Sequence, residues 1–272
     1  MRSITIFCGS KDGSDPRYLQ HARELGRLLA GCGVRIVFGG GRKGLMGALA
    51  DGVLEGGGLV TGIIPRVLLE WEVQHTGLSE LIITESMHER KTLLFRMCDA
   101  AIVLPGGYGT LDEMFELLTL TQTGKGMPVP IVLLDVPGDP YWETVDDFVR
   151  EQLVARGLVS PADRHLYLIT DSVEVAVDEI TGFYRNFHSM RYVGDTLVIR
   201  LQQAPTDEQL TMLNTQFDHL CKGCTITRVA AFPPEVRDDD NVALPRIGFT
   251  FGKHGYGDLR ELIDLCNTFV DG

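Results

Sequence analysis

Residues 100–124 read AAIVLPGGYGTLDEMFELLTLTQTG. An apolar run ends at Pro105. Gly106, Gly107, Tyr108, Gly109 and Thr110 follow, and then an apolar pattern at helical spacing that carries Asp112, Glu113 and Glu116. That is a buried strand, a turn with unusual backbone freedom, and a helix. Two readings of the turn compete. Thr110 to Glu113 has the T-x-x-E spacing of a capping box, in which Glu113 reaches back to the Thr110 N–H. Alternatively, bare peptide amides and a helix N-terminus form an anion pocket with a carboxylate held beside it. Three glycines are more than a cap requires.

The same grammar recurs on both sides. Apolar, β-branched runs at 3–10 (SITIFCGS), 34–41 (VRIVFGGG), 59–65 (LVTGIIP), 78–86 (LSELIITES), 129–136 (VPIVLLDV) and 166–170 (LYLIT) alternate with helical patterns. The helices are expected at 16–33, 44–58, 88–98, 141–157 and 172–187. This alternation predicts an α/β fold with a doubly wound, Rossmann-like parallel sheet. Ligands then bind beyond the carboxyl ends of the strands, where the turns at 9–10, 39–41 and 105–109 all fall. Composition shifts near residue 190. The segments at 191–223, 225–236, 246–252 and 257–270 read as β-α-β-β-α, a small C-terminal α+β domain over 189–272 behind a nucleotide-binding domain over 1–188.

The totals are those of a globular chain: 272 residues, 44% hydrophobic and 23% charged. A net charge of −12 argues against nonspecific nucleic-acid binding, which depends on basic patches. No apolar run reaches the roughly 18 residues of a membrane span. Residues 1–8 read as a strand rather than a signal peptide, so a cytoplasmic location is expected. Of six cysteines, Cys221 and Cys224 form one C-x-x-C that His219 and Cys266 could complete as four zinc ligands. One such pair is a weak signal, and no metal is expected.

GGGRKG at 39–44 matches G-x-G-x-x-G, but it follows the second strand, and the third strand ends without the acid that would hold a ribose. A nicotinamide cofactor is therefore disfavoured, and no cofactor is expected. No P-loop is present. In ESMHERK (85–91), Arg90 and Lys91 stand early in a helix, where the dipole disfavours positive charge. They make sense if they face an anion or a carboxylate. His88 reads more readily as a hydrogen-bonding cap than as a catalyst.

MHERK at 87–91 followed by PGGYGTLDE at 105–113 resembles the paired signature of the Lonely guy family, the cytokinin riboside 5′-monophosphate phosphoribohydrolases once labelled lysine decarboxylases. CGS at 8–10 and GGGRKGLMG at 39–47 are similar to that family's first two loops, and the resemblance covers about residues 1–185. It implies a Rossmann-like homodimer or higher homo-oligomer that hydrolyses the N-glycosidic bond of a nucleoside 5′-monophosphate. The products are a free base and ribose 5-phosphate. It further implies Arg90 and Glu113 as catalytic residues. Substrate and phosphate contacts fall on Ser10, Gly40, Gly41, Met87, Lys91, Gly106, Gly107, Gly109 and Thr110. The dipole is expected to keep Glu113 ionised. Two alternatives stand beside this one. The first is a nucleotide or molybdenum-cofactor carrier without turnover. The second is pyridoxal-phosphate decarboxylation through Lys91.

Overall fold

The computed structural model describes residues 1–69 and 74–270. The chain divides into two compact units: Met1–Thr119, Val129–Leu158 and Tyr167–Ile180 form the first, and Leu120–Pro128, Val159–Leu166 and Thr181–Gly272 the second.

The first unit alternates strand and helix: β1 (Ser3–Phe7), α1 (Arg17–Ala30), β2 (Arg35–Phe38), α2 (Gly44–Glu55), β3 (Leu59–Pro65), α3 (Arg66–Leu69), β4 (Glu80–Thr84), α4 (Met87–Arg96), β5 (Ala100–Val103), α5 (Tyr108–Gln122), β6 (Ile131–Leu134), α6 (Tyr141–Phe148), β7 (Leu168–Thr170) and α7 (Val173–Gly182). Its seven strands run parallel in the order β4-β3-β2-β1-β5-β6-β7. β1 and β5 are neighbours, in register from Ile4 with Ala100 to Phe7 with Val103. The order reverses between them, and this is where such sheets bind ligands.

Both faces of this sheet are covered, so the strand residues alternate between two cores. Ile4, Ile6, Ala100 and Ile102 pack with Leu25, Leu29, Leu49 and Val53 on one face. Phe7, Ala101 and Val103 pack with Leu94, Met114, Leu117 and Trp142 on the other. Burial on two sides makes the central strands, such as β1, β5 and β6, near-continuous apolar runs, the pattern that marked them in the sequence.

The second unit is built differently from its expected β-α-β-β-α. It contains β8 (Phe187–Val193), β9 (Thr196–Leu201), α8 (Asp207–Phe217), β10 (Thr227–Arg228), α9 (Pro233–Arg237), β11 (Arg246–Thr250) and α10 (Tyr256–Asn267). The antiparallel sheet runs β10-β11-β9-β8. The segment 191–201 is not one strand but part of a hairpin, with Val193 paired to Thr196 across Gly194 and Asp195. Gly194 takes φ +61°, the left-handed conformation that a two-residue hairpin turn demands. A division after residue 188 falls inside β8. Leu197, Ile199, Leu213, Leu259 and Ile263 form this unit's core, with Cys266 buried among them. His219 faces Asp258 at 3.5 Å. Among the described residues, no three His, Cys, Asp or Glu side chains are placed to hold a metal ion, nor is any helix long and apolar enough to cross a membrane.

Candidate active site

α4 begins with a cap. The Ser86 Oγ accepts from the Glu89 N–H at 3.1 Å, and the Glu89 carboxylate accepts from the Glu85 N–H at 2.8 Å. Ser86, not His88, therefore ends the chain's entry into the helix; His88 is exposed. The cap sets the helix phase so that Arg90 leaves the first turn towards β3. Its Nε donates to the Ile63 carbonyl at 3.1 Å, and its Nη1 donates to Glu113 Oε1 at 2.7 Å. The arginine and glutamate side chains retain 13% and 11% of their exposure, so this is a buried ion pair rather than a surface contact.

α5 starts at Tyr108, three residues earlier than the capping-box reading places it, and Leu111 N–H already donates to Gly107 O at 3.1 Å. Thr110 and Glu113 thus both lie inside the helix. The Glu113 carboxylate turns to Arg90 instead of back to the Thr110 N–H. Burial, not the helix dipole, dominates the titration of Glu113. Burial pushes its carboxyl above the ordinary value of 4.5, and the attraction and hydrogen bond of Arg90 only partly oppose this. Glu113 lies in the second turn of the helix, past the first turn where the dipole acts most strongly, so desolvation wins.

Cys8, at the end of β1, is buried close enough to feel both charges. Burial pushes its thiol up, so it is a filler here and no thiolate nucleophile. Gly39, after β2, leaves room for the arginine: a Cβ there would stand 2.6 Å from Arg90 Nη2. The pair is therefore enclosed by the ends of β1, β2 and β3.

Gly9 N–H donates to Pro105 O at 3.2 Å, which ties the loop after β1 to the loop after β5 across the switch point. A cavity of about 540 Å³ opens there, lined by Ser10, Lys11, Tyr18, Gly106, Gly107 and Tyr141 among others. Gly106 has no space for a side chain, because the Thr110 hydroxyl and the Gly9 backbone nitrogen crowd it. Thr110 is buried, whereas Tyr108 is 94% exposed. A larger groove, of about 900 Å³, lies against the loop after β1 and the residues of α1 and α2. Arg90 and Glu113 line neither this groove nor the switch-point cavity, so the glycine turn after β5, and not cavity size, marks the candidate site.

The sequence-derived residues thus fall into three groups. Arg90 and Glu113 meet directly. Ser10, Gly106 and Gly107 line the switch-point cavity, with Thr110 packed beneath the turn; Gly40 and Gly41 are buried in the loop beside Gly39. Met87 and Gly109 are exposed at helix starts, and Lys91 is held by two carboxylates, Asp112 at 2.8 Å and Glu116. Two contributors were not read from the sequence: the Ile63 carbonyl and Tyr141. Tyr141 had a signal, since it opens a helix after a strand and so lies on the ligand edge of the sheet.

Residues 46–180 match the family model described as "Possible lysine decarboxylase". The cytokinin riboside 5′-monophosphate phosphoribohydrolase of Rhodococcoides fascians is 38% identical over 66% of this chain and 89% of its own length. A probable cytokinin riboside 5′-monophosphate phosphoribohydrolase of Oryza sativa subsp. japonica is 42% identical over 61% of this chain and 72% of its own. The X-ray structure of the structural-genomics target TM1055 superposes with a TM-score of 0.51 at 27% identity, covering 66% of this chain and 99% of that one. On these matches, and with both glycine loops and the Arg90–Glu113 pair in place, the chain belongs to the Lonely guy family of cytokinin riboside 5′-monophosphate phosphoribohydrolases.

Proposed function

We propose that this protein hydrolyses the N-glycosidic bond of a nucleoside 5′-monophosphate, AMP or a cytokinin riboside monophosphate, to the free base and ribose 5-phosphate. One observation carries the reading: a buried carboxylate and a guanidinium from successive crossovers meet at 2.7 Å on the ligand edge of the sheet. The names borne by the curated relatives support it.

The turn at Gly106–Thr110 supplies peptide N–H groups and the start of α5, a fixed positive end that suits a phosphate. Breaking the ribose–base bond builds positive charge on the sugar, as in glycoside cleavage. Glu113 stabilises that charge as a carboxylate. Because burial raises its pKa, the carboxylate is also a stronger base towards the attacking water. Arg90 keeps its charge throughout. It fixes the Glu113 carboxylate and balances negative charge on the departing base. Ser10 and the Gly39–Gly41 loop complete the contacts, and Lys91 serves through its carboxylate partners. A cytoplasmic homo-oligomer belongs to the same reading.

A carrier that binds a nucleotide without turnover is the weaker alternative. It needs the amide turn but not a costly carboxylate buried against an arginine. Incubation with AMP followed by chromatography decides between them. We expect adenine and ribose 5-phosphate in equal amounts. AMP binding with no base released would overturn the hydrolase reading.

A further inference from the structure

The glycine turn is held from outside its own loop. Tyr141, the first residue of α6, donates its hydroxyl to the Gly106 carbonyl at 2.7 Å and lines the same cavity as Gly106 and Gly107. Burial pushes the phenol's pKa up, so it stays neutral and remains a donor. Its ring is not free to swing. It stands edge-on to Trp142, with centroids 4.8 Å apart and planes at 88°, and Trp142 is wholly buried. The backbone N–H of Trp142 in turn donates to both carboxylate oxygens of Asp135, at 2.9 and 3.1 Å, just beyond the end of β6. Strand β6 thus fixes the start of α6, and the start of α6 fixes the phenol.

A peptide unit is planar and trans. Its carbonyl and the following N–H point in opposite directions, so a hydrogen bond that anchors Gly106 O also sets the direction of the Gly107 N–H. The glycines cannot do this for themselves, because they have the widest backbone freedom of any residue. Gly107 O is already engaged by Leu111 N–H. Tyr141 restrains the preceding peptide, that of Gly106 and Gly107. A bond to the carbonyl also polarises the unit and strengthens its N–H as a donor.

We propose that Tyr141 is a positioning residue for the 5′-phosphate, aligning the Gly106–Gly107 peptide so that its amide meets the phosphate oxygen. This rests on the reading of the turn as a phosphate site. Tyr141 touches the turn and not the scissile bond, so it acts on phosphate affinity more than on bond cleavage.

The test uses the full-length protein with Tyr141→Phe, which keeps the ring and removes only the donor. The readouts are kcat and KM for AMP and inhibition by each product. Loss of one neutral hydrogen bond predicts that KM for AMP and Ki for ribose 5-phosphate rise together by about three- to tenfold. The value of kcat and the Ki for adenine are expected to stay within about twofold. A merely structural role would lower thermal stability without separating the two products. Unchanged ribose 5-phosphate inhibition, or an equal weakening of adenine, overturns the proposal. If the wild type releases no base, calorimetric titration of ribose 5-phosphate into both proteins replaces the kinetics. A Kd weakened by the same factor sustains the assignment, while equal Kd values, or no binding to the wild type, overturn it.

Discussion

Arg90 Nη1 lies 2.7 Å from Glu113 Oε1, and the same guanidinium donates through Nε to the carbonyl of Ile63 at 3.1 Å. One side chain from α4 therefore joins a carboxylate on α5 to the backbone of β3. Among the described residues neither partner forms a second ion pair, and Lys91 is already engaged by Asp112 and Glu116.

Removing the arginine strands a buried carboxylate. Arg90→Ala is expected to lose about 3–5 kcal/mol of stability, the range for breaking one side of a buried pair. Glu113→Gln keeps a hydrogen-bond acceptor for Arg90 and should lose less. Urea unfolding of the two variants side by side gives the order, and equal losses would contradict the burial argument.

The pH dependence follows from the direction of the Glu113 shift. Its carboxyl is raised above 4.5 by burial and pulled back by Arg90. A raised folded-state pKa means that its contribution to stability is fully present below 4.5 and is lost as pH rises through the elevated value. For activity, the acid limb of kcat/KM should lie above the ordinary carboxylate range. Arg90→Met should move that limb to still higher pH. A limb that stays in place in a variant with measurable turnover would show that Glu113 does not set it.

Asp135 offers a second, independent titration. Burial raises its pKa from 3.8 to about 6, against the opposing hydrogen bonds from the Trp142 and Glu143 N–H groups. The ionised form therefore weighs against the fold as pH rises through about 6. Asp135→Asn cannot ionise. The melting temperature of the wild type relative to this variant should fall between pH 4.5 and 7.5, and a difference independent of pH would contradict the assignment.

Lys91 is expected to matter little to turnover. Its ammonium is held by Asp112 and Glu116, both partly exposed. Pairs of this kind contribute about 0–1 kcal/mol, so Lys91→Met should change KM for AMP by less than about threefold. A rise of an order of magnitude would restore a direct contact with phosphate.

The parallel sheet was legible because burial on both faces writes the central strands as near-continuous apolar runs, from Ile4–Phe7 to Ile131–Leu134. The β8–β9 hairpin was not. Only Gly194 and Asp195 separate its strands, and the alternation reads as continuous through them. The site was half legible. Turn positions and the early-helix charge drew attention to Arg90 and Glu113, and the family resemblance paired them as catalytic residues, but their meeting depends on strand order, which brings α4 and α5 to one edge. The fate of Glu113 turned on where α5 begins. The T-x-x-E spacing pointed to a cap, whereas the helix starts at Tyr108 and frees the carboxylate for Arg90. Tyr141 was legible only as far as its edge of the sheet: a tyrosine at a helix start carries no local mark of the carbonyl it reaches across from α6 to the turn after β5.

The most direct test of the account is single-turnover release of adenine from saturating AMP by wild type and Glu113→Gln, with AMP affinity measured for each. The pair is predicted to act on the bond-breaking step. The variant should therefore bind AMP within a few-fold of wild type and release base at least about 100-fold more slowly. Release by Glu113→Gln at close to the wild-type rate would contradict the assignment of the carboxylate to catalysis.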